Sequence, residues 1–372
     1  MDGCIFNIYP HGGIARMYRE LLPRIAQNKR ITFFVLCNEN ALPHLPAHPQ
    51  IRPLAFHEIS RSPSVVFRRV NQWRKAKFYE AVKQIAPAIF HSTYYTTPPF
   101  KITKTVATVY DLIDYQFPLF QPNGPGFADR QSRVLQLADR VMSISSATTD
   151  LAVQAFGIDR ARISTIHLAA AALFSPSTDA EKTAFKVRFT RGLPFFLFVG
   201  STSAYKNLGA VIRAYAQVAE KSGHLLVIAG HSTASIDPWY SELAVQCEVE
   251  DKIILIHHPT DEVLKVAYGA STAFVSPSLQ EGFGIPLVES LQCGTRVLAS
   301  DIPVFREVCA DAALYFNPHR ASELAGLLMN AAESELSKQA ADRLCNRAHE
   351  YSWDKAAAEL EKLYLELSAT PT

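Results

Sequence analysis

The segment Ser278–Val308 reads SLQEGFGIPLVESLQCGTRVLASDIPVFREV. The residues before it, STAFVSPS, are a short apolar run that predicts a buried strand ending at Pro277. A loop, Glu281–Gly284, follows, and Pro286 stands where proline favours the first turn of a helix. That helix ends at Gly294, and the apolar run TRVLAS predicts a second buried strand. A strand, a helix and another strand in this order indicate a parallel sheet covered by helices.

The same alternation runs along most of the chain. The clearest helical segments between apolar runs are Leu208–Glu220, Asp261–Ala270 and Pro286–Cys293. The predicted strands begin at Ile31, Ala88, Thr105, Arg140, Phe195, His224, Lys252, Ser271 and Thr295. We therefore predict an α/β fold built from doubly wound parallel sheets. The helix GGIARMYRELLPRIA needs a strand before it, and only CIFNIY is available, so the first strand is predicted to be short or absent.

The chain of 372 residues is long enough for two domains. The run HLAAAALFSPSTDAEK, from His167, breaks the alternation with small residues and Pro176, which is typical of a linker. We predict one domain over residues 1–172, a second over 173–350, and a helical tail over 351–372.

Bulk properties exclude several classes of protein. A net charge of +2 gives no strong electrostatic field that would attract nucleic acid. No G-x-G-x-x-G motif follows a predicted strand, which argues against a dinucleotide oxidoreductase. The six cysteines lack metal-ligand spacing and indicate a reducing compartment. The chain opens without a signal peptide and has no apolar run of about 20 residues, so a cytoplasmic protein is expected. The basic segment RRVNQWRKAKFYEAVK, from Arg68, fits either a helix on an anionic membrane or a solvated helix face, and the second interpretation is favoured.

The loop before the predicted helix at Pro286 is suited to an anion. Backbone N–H groups of Phe283, Gly284 and Ile285 and the positive end of the helix dipole would lie at the mouth of the sheet, where they fit a diphosphate. Glu281 precedes the helix and can accept hydrogen bonds from sugar hydroxyls, and Glu289, one turn in, can reach a ribose diol. Alternatively Glu281 caps the helix and Glu289 is solvated; the loop glycines and flanking strands favour the functional interpretation.

These residues resemble the retaining GT-B glycosyltransferases of family GT4, the group 1 enzymes of bacterial polysaccharide biosynthesis. That family has two glutamates separated by seven residues, matched here within EGFGIPLVE, and a segment similar to SDIPVFREVCADAALYFNP. The resemblance implies two Rossmann-like domains facing one another across a cleft, an N-terminal one for the acceptor and a C-terminal one for the donor. It also implies that the tail after residue 350 crosses back to the first domain. Glu281 would contact the donor sugar, Glu289 the ribose, and Gly282 would belong to the same donor loop.

Three further segments extend the resemblance. In FVGSTSAYKNLGAVIRAY, Gly200 and Ser201 end a strand at the donor edge, and Lys206 would neutralise the donor diphosphate. The family has an arginine where Tyr205 stands, so only the lysine role is carried over. The pair Gly12 and Gly13 matches a glycine loop that approaches the diphosphate.

The last of these segments is VATVYDLIDYQFP, in which Asp111 is expected to orient the acceptor hydroxyl or to cap the following turn. Tyr110 stands where the family commonly has a histidine, and it cannot act as a base at neutral pH as histidine does. His91 also resembles a family position, but a structural histidine is the favoured interpretation.

The reaction implied is transfer of a hexose, with retention, from a nucleotide diphosphate sugar to a carbohydrate or lipid-linked saccharide. UDP-glucose ranks ahead of GDP-mannose as the donor. No metal and no other cofactor are expected, because Lys206 and the helix dipole supply positive charge, and contact with the inner membrane is possible through a lipid-linked acceptor. Two alternatives are a nucleotide-sugar epimerase of the same fold and an inactive nucleotide-sugar-binding protein.

Overall fold

The structure is a computed structural model that describes residues 1–56, 76, 78–80, 82–98, 104–118, 123–230 and 238–369. The basic segment that begins at Arg68 falls mostly outside these residues. The strands are β1 Phe33–Asn38, β2 Ile51–Phe56, β3 Phe90–Ser92, β4 Thr105–Val109, β5 Arg140–Ser143, β6 Ile163–Thr165, β7 Phe195–Val199, β8 Leu225–Gly230, β9 Ile253–His257, β10 Ala273–Ser276, β11 Val297–Ser300 and β12 Ala313–Phe316.

Helices precede or follow nearly every strand. They are α1 Cys4–Ile8, α2 Gly13–Ile25, α3 Ile113–Gln116, α4 Phe127–Leu137, α5 Ser146–Phe156, α6 Asp179–Thr190, α7 Leu208–Ala216, α8 Ala219–Ser222, α9 Pro238–Gln246, α10 Asp261–Ala270, α11 Ile285–Gln292, α12 Pro303–Cys309, α13 Ala321–Glu333, α14 Lys338–Ala348 and α15 Trp353–Ala369. No helix of the described residues has the length and apolar character required to span a bilayer.

The chain forms two compact units. The first contains residues up to Leu112, the segment Gly124–Leu168 and the chain from Trp353 onward; the second contains Ile113–Asn123 and Ala169–Ser352. In the first unit β1 pairs with β2, and β3, β4, β5 and β6 form a second sheet in that order. The C-terminal helix α15 packs on α2 in this unit, and its Glu361 accepts a 2.5 Å hydrogen bond from Asn28.

The first residues of the chain lie between the two sheets of the first unit. Asp2 forms a parallel bridge with Leu36 of β1, and its N–H donates to the carbonyl of His91 in β3. The Asp2 side chain accepts a 3.0 Å hydrogen bond from the N–H of Cys4, which stabilises the start of a helical turn. The segment CIFNI therefore forms the helix α1 instead of a first strand. Only the bridge between Asp2 and Leu36 occupies the place expected for that strand.

The second unit is built on a six-stranded parallel sheet of order β12-β11-β10-β7-β8-β9. Its strands are apolar on both faces because helices cover both sides. In β7 the first four residues are buried, and in β8 the first five are. One large core cluster joins β7 and β8 to α7 and α13.

Candidate active site

The strand order of the second unit has a topological switch point between β7 and β10. From β7 the chain builds outward through β8 and β9, and it then returns to β10 and builds the other way through β11 and β12. The loops that leave β7 and β10 consequently separate, and a crevice opens at the carboxyl ends of these strands. The first loop contains Lys206 and the second contains Glu281.

These two side chains form an ion pair at the switch point. Lys206 Nζ lies 2.5 Å from Glu281 Oε1, and the side chains are 18% and 14% exposed. Ser278 Oγ donates a 2.7 Å hydrogen bond to the same carboxylate oxygen. The lysine ammonium also lies 5.3 Å from the centre of the Tyr205 ring, a cation–π arrangement. The structure therefore brings together a cation and an anion that are 75 residues apart in the chain.

Asn207 fixes the loop that presents Lys206. Its backbone has a φ of 55°, a left-handed conformation that asparagine tolerates. Its side-chain amide donates to the carbonyl of Pro277 at 3.1 Å and to that of Pro318 at 2.9 Å. Because Pro277 lies in the loop that contains Glu281, the single asparagine side chain ties the two loops of the switch point together.

Gly200 and Gly230 end the neighbouring strands β7 and β8 at the same edge. A Cβ built on Gly230 would lie 2.0 Å from the carbonyl oxygen of Gly200, so this approach requires glycine at position 230. Ser201, the next residue after Gly200, donates through Oγ to Ser203 Oγ at 3.0 Å. The edge is thus formed by closely spaced backbone, which lets a ligand approach the strand ends.

The helix α11 begins at Ile285 with Gly284 as its N-cap. Gly284 has a φ of +95°, which L side chains rarely adopt. Phe283 is 2% exposed, and its ring packs edge-on against Tyr351 at 5.4 Å, which anchors the loop from inside. Gly282 to Gly284 precede the helix and Ile285 is its first residue, so their backbone N–H groups and the positive end of the dipole lie at the start of α11, in the loop that follows β10.

Glu289 lies one turn into α11 and is 3% exposed. Its Oε2 accepts a 3.1 Å hydrogen bond from the hydroxyl of Tyr268 in α10. The alternative interpretation, in which Glu289 is a solvated side chain, is therefore wrong. Burial, and to a smaller extent the charge of Glu289, raises the pKa of the Cys293 thiol to about 12.

The remaining predicted residues lie in the first unit. Gly12 is the N-cap of α2, and Gly13 is the first residue of that helix. Asp111 follows β4, and its backbone carbonyl accepts a 2.6 Å hydrogen bond from Gln131. These three residues belong to the first unit, whereas Lys206 and Glu281 belong to the second.

Tyr110 and His91 lie in a buried polar network of the first unit. The Tyr110 hydroxyl donates to the carbonyl of Thr93 at 2.7 Å, and burial raises its pKa well above the usual value. The imidazole of His91 lies 2.5 Å from the Tyr364 hydroxyl and 2.8 Å from that of Thr108. Burial, with a smaller effect of the N-terminal ammonium, lowers the His91 pKa to about 3. Tyr110 is no base at neutral pH, and His91 has the hydrogen bonds of a structural histidine.

Three features of the site were not predicted from the sequence: Ser278, Tyr268 and the hydrogen bonds through which Asn207 ties the two loops together. Ser278 lies in the same loop as Glu281, and Asn207 lies in the same loop as Lys206. Both are polar residues of loops that follow a strand, which is a usable signal. Tyr268 has no such signal, because a tyrosine in the amphipathic segment Asp261–Ala270 predicts only a core residue.

Comparison with known proteins decides the family. Residues 179–352 match the model of the glycosyl transferases group 1, and residues 11–169 match that of glycosyltransferase family 4. The chain is a group 1 glycosyltransferase of family 4. The family predicted from EGFGIPLVE is thereby confirmed.

Two curated relatives and one solved structure are similar to this glycosyltransferase. The O-antigen chain mannosyltransferase RfbU of Salmonella typhimurium is 28% identical over 61% of the chain and 60% of its own length. The O-antigen chain mannosyltransferase B of Escherichia coli is 23% identical over 96% of both chains. A sucrose-phosphate synthase from Thermosynechococcus elongatus has the same fold, with a TM-score of 0.73 and 20% identity over 96% of this chain and 94% of that one. The predicted GT-B fold is confirmed.

Proposed function

We propose that this glycosyltransferase transfers mannose from GDP-mannose, with retention of configuration, to a growing saccharide chain in polysaccharide biosynthesis. The observation that carries the proposal is the Lys206–Glu281 ion pair at the switch point, beside the first turn of α11. One side chain is suited to a phosphate and the other to sugar hydroxyls, and both sit at the edge where such folds bind ligands.

The choice of sugar comes from the relatives. Both O-antigen proteins are named mannosyltransferases, and one of them aligns along nearly the whole chain. This favours GDP-mannose over UDP-glucose and reverses the order given by the sequence analysis. The same names support a saccharide chain as the acceptor, whether or not it is attached to a lipid.

The residues of the second unit divide the work on the donor. The backbone amides of Phe283, Gly284 and Ile285 at the start of α11 and the Lys206 ammonium would bind the diphosphate, because each presents positive charge at the switch point. Glu281 would accept hydrogen bonds from the sugar hydroxyls, and its place is held by Lys206 and Ser278. Glu289 would receive the ribose diol. Preorganised groups of this kind need no reorientation as charge develops on the leaving phosphate.

In the transfer step the bond between the anomeric carbon and the phosphate oxygen breaks, and its electron pair stays on the phosphate. The acceptor oxygen bonds to the anomeric carbon from the same face, and its proton passes to the departing phosphate. Positive charge from Lys206 and α11 stabilises the diphosphate that forms. Asp111 would orient the acceptor hydroxyl, as the resemblance to the family implies.

The experiment supplies the protein with GDP-mannose or UDP-glucose, with and without a mannose oligosaccharide acceptor. We expect GDP release only when GDP-mannose and acceptor are both present, and an α-mannosidic product by NMR. Release of UDP alone would assign the other donor, and a β-linked product would exclude retention. Interconversion of donor sugars without acceptor would favour the epimerase.

A further inference from the structure

Tyr268 is a fully buried aromatic residue whose position is fixed by its neighbours. Its ring packs edge-on against Phe174 at 6.0 Å and against Phe274 at 5.3 Å between ring centres. A tyrosine has few rotatable bonds, so a ring held on two sides places its hydroxyl at one point. That hydroxyl is the polar end of a ring that packs against two phenylalanine rings.

The Tyr268 hydroxyl contacts the Glu289 carboxylate. Tyr268 donates to Glu289 Oε2 at 3.1 Å, from α10 to the adjacent helix α11. Glutamate has three side-chain torsions, and an unanchored glutamate would occupy several rotamers. Because one carboxylate oxygen accepts a hydrogen bond from this rigid phenol, fewer orientations are open to the carboxylate before any ligand arrives.

We propose that Tyr268 is the positioning residue for nucleotide recognition, holding Glu289 in the orientation that a ribose diol meets. The inference rests on the proposed ribose role of Glu289. A diol offers two donors at a fixed separation, so a carboxylate accepts both only when its two oxygens face them. Tyr268 acts through Glu289 and needs no contact with the nucleotide.

The chain provides a matched control in Tyr215. This tyrosine is also 0% exposed in the second unit, and its hydroxyl donates to the carbonyl of His224 at 2.8 Å. His224 precedes β8, so that hydrogen bond lies at the amino edge of the sheet, opposite to the edge with Lys206 and Glu281. Tyr215→Phe and Tyr268→Phe each remove one buried hydroxyl and keep the ring.

The experiment measures the affinity of the full chain for GDP and for 2′,3′-dideoxy-GDP by calorimetry, with UDP and its dideoxy analogue in parallel. Wild type is expected to prefer the diol nucleotide about tenfold. In Tyr268→Phe this preference should fall to about one, with the dideoxy affinity unchanged, while Tyr215→Phe should keep the wild-type ratio. A purely structural role of Tyr268 would weaken both nucleotides by the same factor, which would overturn the proposal.

A Glu289→Gln variant separates this proposal from the proposed function on which it rests. If Glu289→Gln keeps the full preference for the diol, the ribose role of Glu289 itself is wrong. If Glu289→Gln loses the preference and Tyr268→Phe keeps it, only the positioning role is wrong. In the double variant, Tyr268→Phe should add no further loss to that of Glu289→Gln, and an additional tenfold loss would contradict action through the carboxylate.

Discussion

At the scale of single residues, the Lys206–Glu281 pair joins two opposite charges to which the proposed function assigns different parts of the donor. Each side chain is less than one fifth exposed, so burial removes much of its hydration. The attraction to the opposite charge compensates for that loss. Ser278 adds a neutral donor to the same carboxylate oxygen. In the free protein the pair therefore holds both side chains in place.

Replacing Glu281 by glutamine tests its role toward the sugar. Glu281→Gln keeps the size but removes the charge that strengthens hydrogen bonds to the sugar as the glycosidic bond lengthens. We expect turnover to fall by about 10²–10³-fold, with little change in GDP affinity. Steady-state kinetics and calorimetry measure the two quantities, and Glu333→Gln, on the exposed end of α13, is the control. An unchanged turnover number would remove Glu281 from the transition state.

Sequence alone was sufficient to predict that Glu281 and Lys206 lie at the carboxyl edge of the sheet, because each lies in a loop that follows an apolar strand, and the carboxyl ends of parallel strands share one edge. It was insufficient for Tyr268, which stands 21 residues before Glu289 on another helix. The pairing of two helix faces depends on how the helices pack, and that is not encoded in the local pattern of either one.

At the scale of elements, the loop from Pro277 to α11 depends on one backbone conformation. Gly284 has a φ of +95°, and a Cβ there would meet Leu287 at 3.0 Å and Phe305 at 3.1 Å. An alanine would have to leave this conformation or displace both side chains, and either change moves the first-turn amides.

Gly284→Ala is therefore expected to lower the free energy of unfolding by about 1–3 kcal/mol and to weaken GDP binding at the same time. Gly326→Ala is the control, because Gly326 lies on the exposed face of α13 and a Cβ there meets nothing within 4 Å. That variant should be about 1 kcal/mol more stable than wild type, with unchanged affinity. Thermal melts with and without GDP measure both. Wild-type affinity in Gly284→Ala would mean that the first turn does not bind the nucleotide.

The three strands that were not predicted from the sequence, β2, β6 and β12, all lie at sheet edges, although the edge strands β1, β3 and β9 were predicted. The edge strand β2 contains Pro53, which argues against a strand in the interior of a sheet. The edge strand β12 has only two of its four residues buried, and β6, also at an edge, has only three residues. The helix α1 was missed because CIFNIY is apolar, and the Asp2 hydrogen bond that starts its turn depends on where the chain lies in the fold.

At the scale of the whole molecule, the sequence predicted the α/β class because the alternation of strands and helices is a property of the entire chain, and the resemblance to the family implied two Rossmann-like domains. It did not predict that the short segment Ile113–Asn123 would join the second unit. There Asp114 is buried and accepts hydrogen bonds from the backbone and side chain of Asn123. Such a crossing of the chain leaves no periodic signal.

The source of positive charge at the donor site predicts how the whole enzyme responds to chelation. Lys206 and the first turn of α11 are expected to neutralise the diphosphate. Transfer from GDP-mannose should therefore continue at the wild-type rate in millimolar EDTA, and Lys206→Ala should weaken donor binding in either condition. Assays with EDTA, with and without added Mg²⁺ or Mn²⁺, measure this. A loss of activity that either metal restores would contradict the role given to Lys206.

The buried network around His91 makes the stability of the first unit depend on pH. The imidazole is 3% exposed and faces hydroxyls of Tyr18, Tyr364 and Thr108, and its pKa of about 3 lies below the ordinary value of 6.5. The unfolded chain therefore binds a proton between pH 6.5 and 3 that the folded chain does not. The stability conferred by neutral His91 is complete above pH 6.5 and is lost as pH falls toward 3, at about 1.4 kcal/mol per pH unit.

We expect His91→Gln to reduce this pH dependence. The variant loses hydrogen bonds, so it should be less stable than wild type at pH 7, but the difference should shrink steadily between pH 6.5 and 4.5 because glutamine does not titrate. Scanning calorimetry of both proteins across this range measures it, with His319→Gln, an exposed histidine of the second unit, as the control. Parallel curves for wild type and His91→Gln would show that His91 has the same pKa in the folded and the unfolded chain, in conflict with its burial.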